Sequence, residues 1–451
     1  MFHFLSIFLI NFILGASFIF AQNLLKPDSL DSIQMKYELY KLKNGLQVLL
    51  HSDSRVNEIS VEFWLKSGIR DEPSNRYGLA HFFEHVTPYG LRGKAKEQEL
   101  FRSYRTDSNA QVKKDFIRYY IKVKPEGLDL ALQYTAERLN ATSSIDINAE
   151  IVERERGRVL AEIERNSINP FWSAEGTMTL FSATFGQTHP YGHGGYGTVE
   201  NNKNFKLEEF REWYEKYVHP SNVVLFIVGN FDEKLARQTI EKHFGNLPEK
   251  TKNKHKITMP PVKQERKDFS SETNTANHYA VLSWAVAEWG SQDDASLRLL
   301  ANILDDRLKN KAKQIPEIAN ANSTDLLNLY QFAGQFGVYA SFPNLQDKEK
   351  IESFLKQEIK NLLEFGITEE ELNMAKQKEI QKIQGMKKNL GFQQSRTELF
   401  GESLLFKNNP NFYFIRLKEQ GKLKKQTVEK TLRASLTKTP STIFFKSKNK
   451  N

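Results

Sequence analysis

The sequence predicts an α+β protein built from two duplicated α/β-sandwich domains, each a sheet with helices packed on it. Three observations carry this expectation. At 451 residues the chain exceeds what one hydrophobic core usually organises. Strand-like and helix-like patterns alternate on both sides of residues 250–261, KTKNKHKITMPP, whose alternating lysines and proline pair have no periodicity and read as a linker. The charged helix IDINAEIVERERGRVLAEIE from Ile145 is echoed 222 residues later by ITEEELNMAKQKEIQKIQ from Ile367. Each follows a strand, an amphipathic helix and a short turn, which is the signature of an internal repeat.

Taken in order, residues 37–50 hold two short strand-like runs around Asn44-Gly45, a hairpin signal. Residues 59–65 alternate apolar and polar side chains as a half-buried strand that stops at Ser67-Gly68. A helix over about residues 77–86 follows directly, ended by Pro88 and Gly90. Residues 116–123 (FIRYYIKV) read as a strand, and residues 127–140 as an amphipathic helix bearing Leu128, Leu132 and Leu139. A long charged helix then runs from Ile145-Asp146 to about Arg165. The glycine-rich residues 189–197 (HPYGHGGYG) lack the Lys-Ser/Thr of a phosphate loop and read as a structural turn. A continuous apolar strand at 223–228 and a helix at 233–244 close the first domain. After the linker come a strand at 279–286, a helix at 295–308, a strand at 336–342, a helix at 348–365 and the charged helix from Ile367 to about Gly385. The expected division is a signal segment at 1–21, a first domain at 22–249, a linker at 250–262 and a second domain at 263–451.

The chain is 39% hydrophobic and 26% charged, with 64 Lys+Arg against 55 Asp+Glu. Acidic residues are interleaved with the basic excess, which therefore reads as solvated surface and not as a nucleic-acid footprint. Residues 1–21 (MFHFLSIFLINFILGASFIFA) contain no Lys, Arg, Asp or Glu and end in Ala21, as a cleavable secretory signal does. The run is also about long enough to span a bilayer, so an uncleaved membrane anchor is the other reading. Export to a periplasm or the cell exterior is expected. With no cysteine in the chain, disulfides, thiolate catalysis and Cys-type zinc sites are excluded.

Within the first helix, His81, Glu84 and His85 form H-x-x-E-H, the metal-binding H-E-x-x-H pattern reversed. Residues four apart on a helix share one face, separated by about 40° and about 6 Å of rise. His81 and His85 are thus placed to hold one ion through two imidazoles. Glu84, beside them, is placed to accept a proton from the attacking water without being a ligand. A third ligand must come from elsewhere. Glu150, Glu153, Glu155, Glu162 and Glu164 crowd the helix after Ile145, and their plainest reading is a solvated face paired with Arg154, Arg156 and Arg158. In the second copy, Ile303, Asp306 and Arg307 fall opposite the motif residues, and Gln377 and Gln384 opposite Glu155 and Glu162, so it lacks metal ligands.

These residues resemble the inverted-zincin metallopeptidases of the pitrilysin and insulinase type, in particular the mitochondrial-processing-peptidase-like branch. The likeness rests on G-L-A-H-F-F-E-H at 78–85, Asn109-Ala110, E-R-x-x-V-x-x-E from Glu155 to Glu162, H-P-Y-G at 189–192 and V-G-N-F-D at 228–232. The resemblance implies that His81, His85 and Glu162 bind one zinc ion per chain, that Glu84 is the general base, and that Glu155 supports the site. It implies hydrolysis of peptides or unfolded segments, and a fold that is one half of a clamshell peptidase. The family commonly has an Arg and a Tyr in its second domain that hold substrate; Lys313 and Asn320 stand there. That departure implies a catalytic subunit in a heterodimer with a homologous chain carrying the Arg/Tyr pair, otherwise a homodimer. A non-catalytic scaffold subunit is the alternative. The apolar run after the motif is also replaced, by Val86-Thr87-Pro88-Tyr89, and Val112 stands where a Thr is usual.

Overall fold

The computed structural model describes residues 33–87, 94–140, 147–249, 259–264 and 268–448. The expected signal segment, the helix-ending Pro88 and Gly90, and most of the expected linker lie outside these residues. Asn44-Gly45 does turn a hairpin: β1 (Glu38–Lys41) and β2 (Gln47–Ser52) pair antiparallel, with Gly45 at φ +92°. After β3 (Ile59–Leu65) come α1 (Leu79–Val86) and α2 (Ala95–Tyr104), then the antiparallel pair β4 (Arg105–Val112) and β5 (Ile117–Val123). Helices α3 (Leu128–Arg138), α4 (Ala149–Asn166), α5 (Ala174–Phe185), α6 (Val199–Asn204) and α7 (Leu207–Tyr217) lead to β6 (Val223–Gly229) and α8 (Glu233–Phe244). The six strands are ordered β1-β2-β6-β3-β5-β4, with β2 and β6 parallel and β4 at the edge.

The second half repeats this plan. It contains β7 (Asp268–Thr273), β8 (His278–Val286), α9 (Asp294–Ala312), β9 (Asn320–Asn322), β10 (Asn328–Leu329) and β11 (Gly334–Phe342). Helices α10 (Lys348–Phe365), α11 (Glu369–Lys388), α12 (Arg396–Lys407), α13 (Phe412–Lys422) and α14 (Lys425–Leu436) follow, and β12 (Ser441–Ser447) closes the chain. The sheet order is β10-β11-β8-β12-β7, with β12 and β7 parallel and β9 beside β11. Read strand for strand, β4, β5, β3, β6 and β2 correspond to β10, β11, β8, β12 and β7, so the duplication seen in the sequence is also one of topology. Among the described residues, no helix is long and apolar enough to cross a membrane.

Residues 59–65 depart from the expected half-buried strand: all seven are buried. The cause lies in the other half of the molecule. Successive strand side chains point to opposite faces. Phe63 therefore enters the core shared with Phe82, Phe83 and Trp213, while Trp64 enters one shared with Leu399, Phe400 and Tyr413. The polar groups buried here are paired: Trp64 Nε1 donates to Glu62 at 2.8 Å, and on the neighbouring β5 the fully buried Arg118 donates to Glu398 at 2.8 Å. The exchange is mutual, because α5 places Leu180 and Ala183 against Val281, Tyr339, Ile443 and Phe445 of the second sheet. Each sheet is thus covered on one face by its own helices and on the other by helices from the opposite half.

Gly401 on α12 lies flat against the Trp64 indole, where a Cβ would collide with ring atoms, whereas Gly157 in α4 has open space at that position. Gly401→Ala is expected to destabilise the chain by about 1–3 kcal/mol through overpacking, and Gly157→Ala to stabilise it by about 0.5–1 kcal/mol by restricting the unfolded chain. Urea-unfolding midpoints check both, and shifts of the same sign would refute the packing argument.

Candidate metal centre

The H-x-x-E-H helix is fixed from three sides. At its start, the buried Glu72 carboxylate accepts from Gly78 N at 3.0 Å and Ala80 N at 2.8 Å, satisfying amide groups that a helix N-terminus leaves open. Gly78 has φ +99°, and its Cα faces the Tyr196 carbonyl so closely that a Cβ would lie 2.5 Å from it; only glycine fits. On its apolar side, Phe82 packs against Phe205 and Phe210, and Phe83 against Trp213. His81, Glu84 and His85 are left on the opposite side, with ligand atoms within 4.8 Å of one another.

The third candidate ligand arrives on α4, which Asn148 caps through Ile151 N at 3.0 Å. Its buried Val152, Val159 and Ile163 set the rotation that turns Glu155 and Glu162, seven residues apart, toward α1. Glu162 Oε1 lies 3.7 Å from His81 Nε2, and Oε2 lies 3.4 Å from His85 Nε2. These separations are long for hydrogen bonds. They approach the roughly 3.3 Å between two atoms that share a tetrahedral ion through bonds of about 2.0–2.1 Å. Two imidazole nitrogens and one carboxylate are also a donor set zinc accepts with a position to spare, so the residues fit the ion.

Around this set the other predicted residues take distinct places. Glu84 Oε2 is 3.8 Å from His85 Nε2. Glu155 is buried, receives Arg158 at 2.8 Å and Arg154 at 3.0 Å, and stands 3.7 Å from His85 Nδ1. It is therefore placed to orient that ring from behind, and the plain reading of a solvated, arginine-paired glutamate holds for it only in part. Burial pulls the His85 pKa down, but Glu162, Glu84 and Glu155 together hold it above the ordinary 6.5. The His81 and His85 imidazoles that face it, with the Tyr196 hydroxyl, keep the Glu162 carboxyl far below the usual range.

Sequence reasoning missed Tyr196, which lies in the run read as a structural turn. Its hydroxyl donates to Glu162 Oε1 at 3.0 Å, is itself held by Asn166 Nδ2 at 2.7 Å, and its ring meets His81 edge-on. Gly197, at φ +63°, lets that run press against Tyr77; a tyrosine set among glycines was the only available signal. The site opens into a cleft of about 420 Å³ rimmed by Asn109 to Val112 of β4, by Phe171 and Trp172, and by Phe392 and Gln393 from the second half. Of the residues standing in for the family's Arg/Tyr pair, Asn320 lies in a neighbouring groove that shares Phe171 and Trp172, and donates to Tyr339 Oη at 3.1 Å. Lys313 caps α9 and is exposed.

Residues 47–193 match the family described as Insulinase (Peptidase family M16), and residues 204–379 match the Peptidase M16 inactive domain. Zinc protease PqqE of Helicobacter pylori is 26% identical over 282 residues, spanning 60% of this chain and 61% of that one, less than two thirds of its length. Mitochondrial-processing peptidase subunit beta of Blastocladiella emersonii is 24% identical over 339 residues, 72% of this chain and 70% of that one. The crystal structure of a protease from Helicobacter pylori superposes with a TM-score of 0.77 at 22% identity, covering 91% of this chain and 99% of that one; this likeness is one of fold. The two matched regions lie in order along one chain, the first containing the H-x-x-E-H helix, and the chain belongs to the insulinase family, peptidase family M16.

Proposed function

We propose that the chain is a zinc-dependent metalloendopeptidase acting on peptides or unfolded segments, with one zinc ion per chain held by His81, His85 and Glu162. The observation that carries this is the convergence of two imidazoles and a carboxylate from separate helices at 3.4–3.7 Å, with Glu84 alongside. Zinc bound there supplies Lewis-acid polarisation of the scissile carbonyl and acidifies water. Glu84 takes the proton of the attacking water and returns it to the leaving amine. Glu155 fixes the His85 ring, and Tyr196 with Asn166 behind it fixes Glu162. Substrate enters as an extended strand, because β4 is an edge strand whose unpaired backbone groups border the cleft.

The division at residues 250–262 and export by residues 1–21 to a periplasm or the cell exterior belong to the same reading. So does a dimer, best a heterodimer whose other chain carries the Arg/Tyr pair: Lys313 and Asn320 stand in its place here, and one relative is named as a subunit. Those same two substitutions favour, as a second reading, a non-catalytic subunit.

Metal content separates the readings. Glu84→Gln is expected to keep about one zinc per chain while turnover falls about 10²–10⁴-fold; retained turnover would refute the role of Glu84, and zinc-free wild-type protein would favour the scaffold. The neighbouring carboxylates raise the His85 pKa, so protons compete with zinc for this ring as the pH falls, and affinity is expected to be weaker at about pH 6 than at about pH 8. Competition titrations read this directly, and equal affinities would contradict the arrangement. For the heterodimer, adding the homologous chain should raise peptide cleavage, and full activity of the chain alone would exclude it.

A further inference from the structure

The glycine-rich run at 189–197 touches both helices that carry the candidate ligands. Toward α4 it offers Tyr196, whose hydroxyl holds Glu162. Toward α1 it offers His193, which the chemistry proposed above leaves unused. The His193 ring is buried and stacks on Tyr77, with 4.0 Å between centroids. Its Nε2 lies 3.0 Å from Glu72 Oε2 and 3.2 Å from the Ile69 carbonyl oxygen. A carboxylate and a carbonyl only accept, so Nε2 carries the hydrogen and donates. Nδ1 is buried without a hydrogen-bond partner among the described residues, which leaves Nε2 as the edge through which the ring acts.

The Glu72 side chain is fully buried, and its carboxylate accepts three hydrogen bonds at once. Oε2 takes Gly78 N at 3.0 Å together with His193 Nε2, and Oε1 takes Ala80 N at 2.8 Å. Two of these donors are the start of α1, and the residue after Ala80 is His81. A turn of the Glu72 carboxylate away from this orientation therefore shifts the first turn of the helix, and the imidazole it carries, relative to Glu162. His193 is the side-chain donor of the three, and its own backbone is anchored. The ammonium of the buried Lys114 lies over the Phe181 ring and donates to the His193 carbonyl and, at 3.1 Å, to the Tyr191 carbonyl. A metal site tolerates little looseness of this kind, because its ligands must be held within about 0.5 Å of their working positions.

We propose, building on the zinc-binding function proposed above, that His193 is a positioning residue for the candidate metal site: its Nε2–H fixes the Glu72 carboxylate, which seats the first turn of α1 and so sets His81 against Glu162. The run at 189–197 then holds both ligand-bearing helices, α1 through His193 and α4 through Tyr196, and fixes the separation between them.

Three substitutions separate the hydrogen bond from the ring stack. His193→Gln carries an N–H close to where Nε2 stands but loses the ring, His193→Asn carries it near Nδ1, on the wrong edge, and His193→Phe keeps the stack on Tyr77 without a donor. Competition titrations on the full chain are expected to give a zinc affinity within about threefold of the unaltered chain for His193→Gln, and one about 10–100-fold weaker for His193→Asn and His193→Phe. On metal-free protein, the Gly78 and Ala80 amides should exchange hydrogen faster in His193→Asn and His193→Phe but not in His193→Gln. Affinity kept by His193→Phe and lost by His193→Gln would make the ring a packing element and overturn the proposal. So would urea midpoints that fall across the series while zinc affinity and exchange at the two amides stay unchanged. If His193→Phe does not fold, His193→Gln against His193→Asn still decides, because both are amides that differ in where the N–H lies. An unaltered chain that takes up no zinc overturns the metal reading and the proposal with it. An unaltered chain that binds zinc no more tightly than His193→Asn and His193→Phe overturns the proposal alone.

Discussion

The structure depends on an exchange of cover between its halves. A sheet needs both faces protected or one face polar, and strands such as β3 and β6, buried on both sides, have no polar face to offer. The first half cannot supply the missing layer; α12 and α13 of the second half do, through Leu399, Phe400, Leu404 and Tyr413. The debt is mutual, since α5 seals the second sheet. Where the halves meet, the buried polar groups are paired across the boundary: Arg396 reaches Asp53 at 2.7 Å, and Arg118 reaches Glu398. Removing one partner of such a pair leaves a buried charge, at a cost of about 3–5 kcal/mol. The boundary is therefore held in one register as well as held together.

That register matters to the candidate metal site. Its α1 and α4 are held by the first half's own core, but the cleft they open into is finished by Phe392 and Gln393, on the chain just before α12. The Arg118 guanidinium that pairs with Glu398 also donates to the Phe392 carbonyl at 2.5 Å. One buried cation thus ties the wall of the cleft to the joint between the halves. The ligand geometry, in contrast, is local: Glu72, Gly78 and Tyr196 set it within the first half.

Much of this was legible in the sequence because it depends on short-range pattern. The hairpin at Asn44-Gly45, the strand at 59–65, the helix at 233–244 and the helix at 348–365 follow from turn chemistry and periodicity, and the H-x-x-E-H spacing speaks for itself. Glu162 was not legible from periodicity; among five glutamates on one helix nothing local singles it out, and the family resemblance alone pointed there. Strand β4, RTDSNAQV, has no apolar alternation because one of its edges is free and its faces are largely exposed. The burial of Glu62 and Ser60 was hidden for the opposite reason: their polarity looked like a solvent face, and only the docking of α12 turns it inward. Tyr196 was missed because glycines around it read as a turn, which they also are.

The polar character of β4 has a further consequence. An edge strand left open beside a cleft is a template for any extended chain, including another copy of the same protein. Here its first five residues are exposed, it carries Arg105 and Asp107, and its pairing with β5 is interrupted by a bulge between them. Charge and bulge together spoil the flat, apolar geometry that self-pairing strands need. The end that borders the candidate metal site, Ala110 to Val112, is the half-buried part, so the strand is open to pairing chiefly within the cleft. Protection against aggregation and access for an incoming segment are thus divided along a single eight-residue strand.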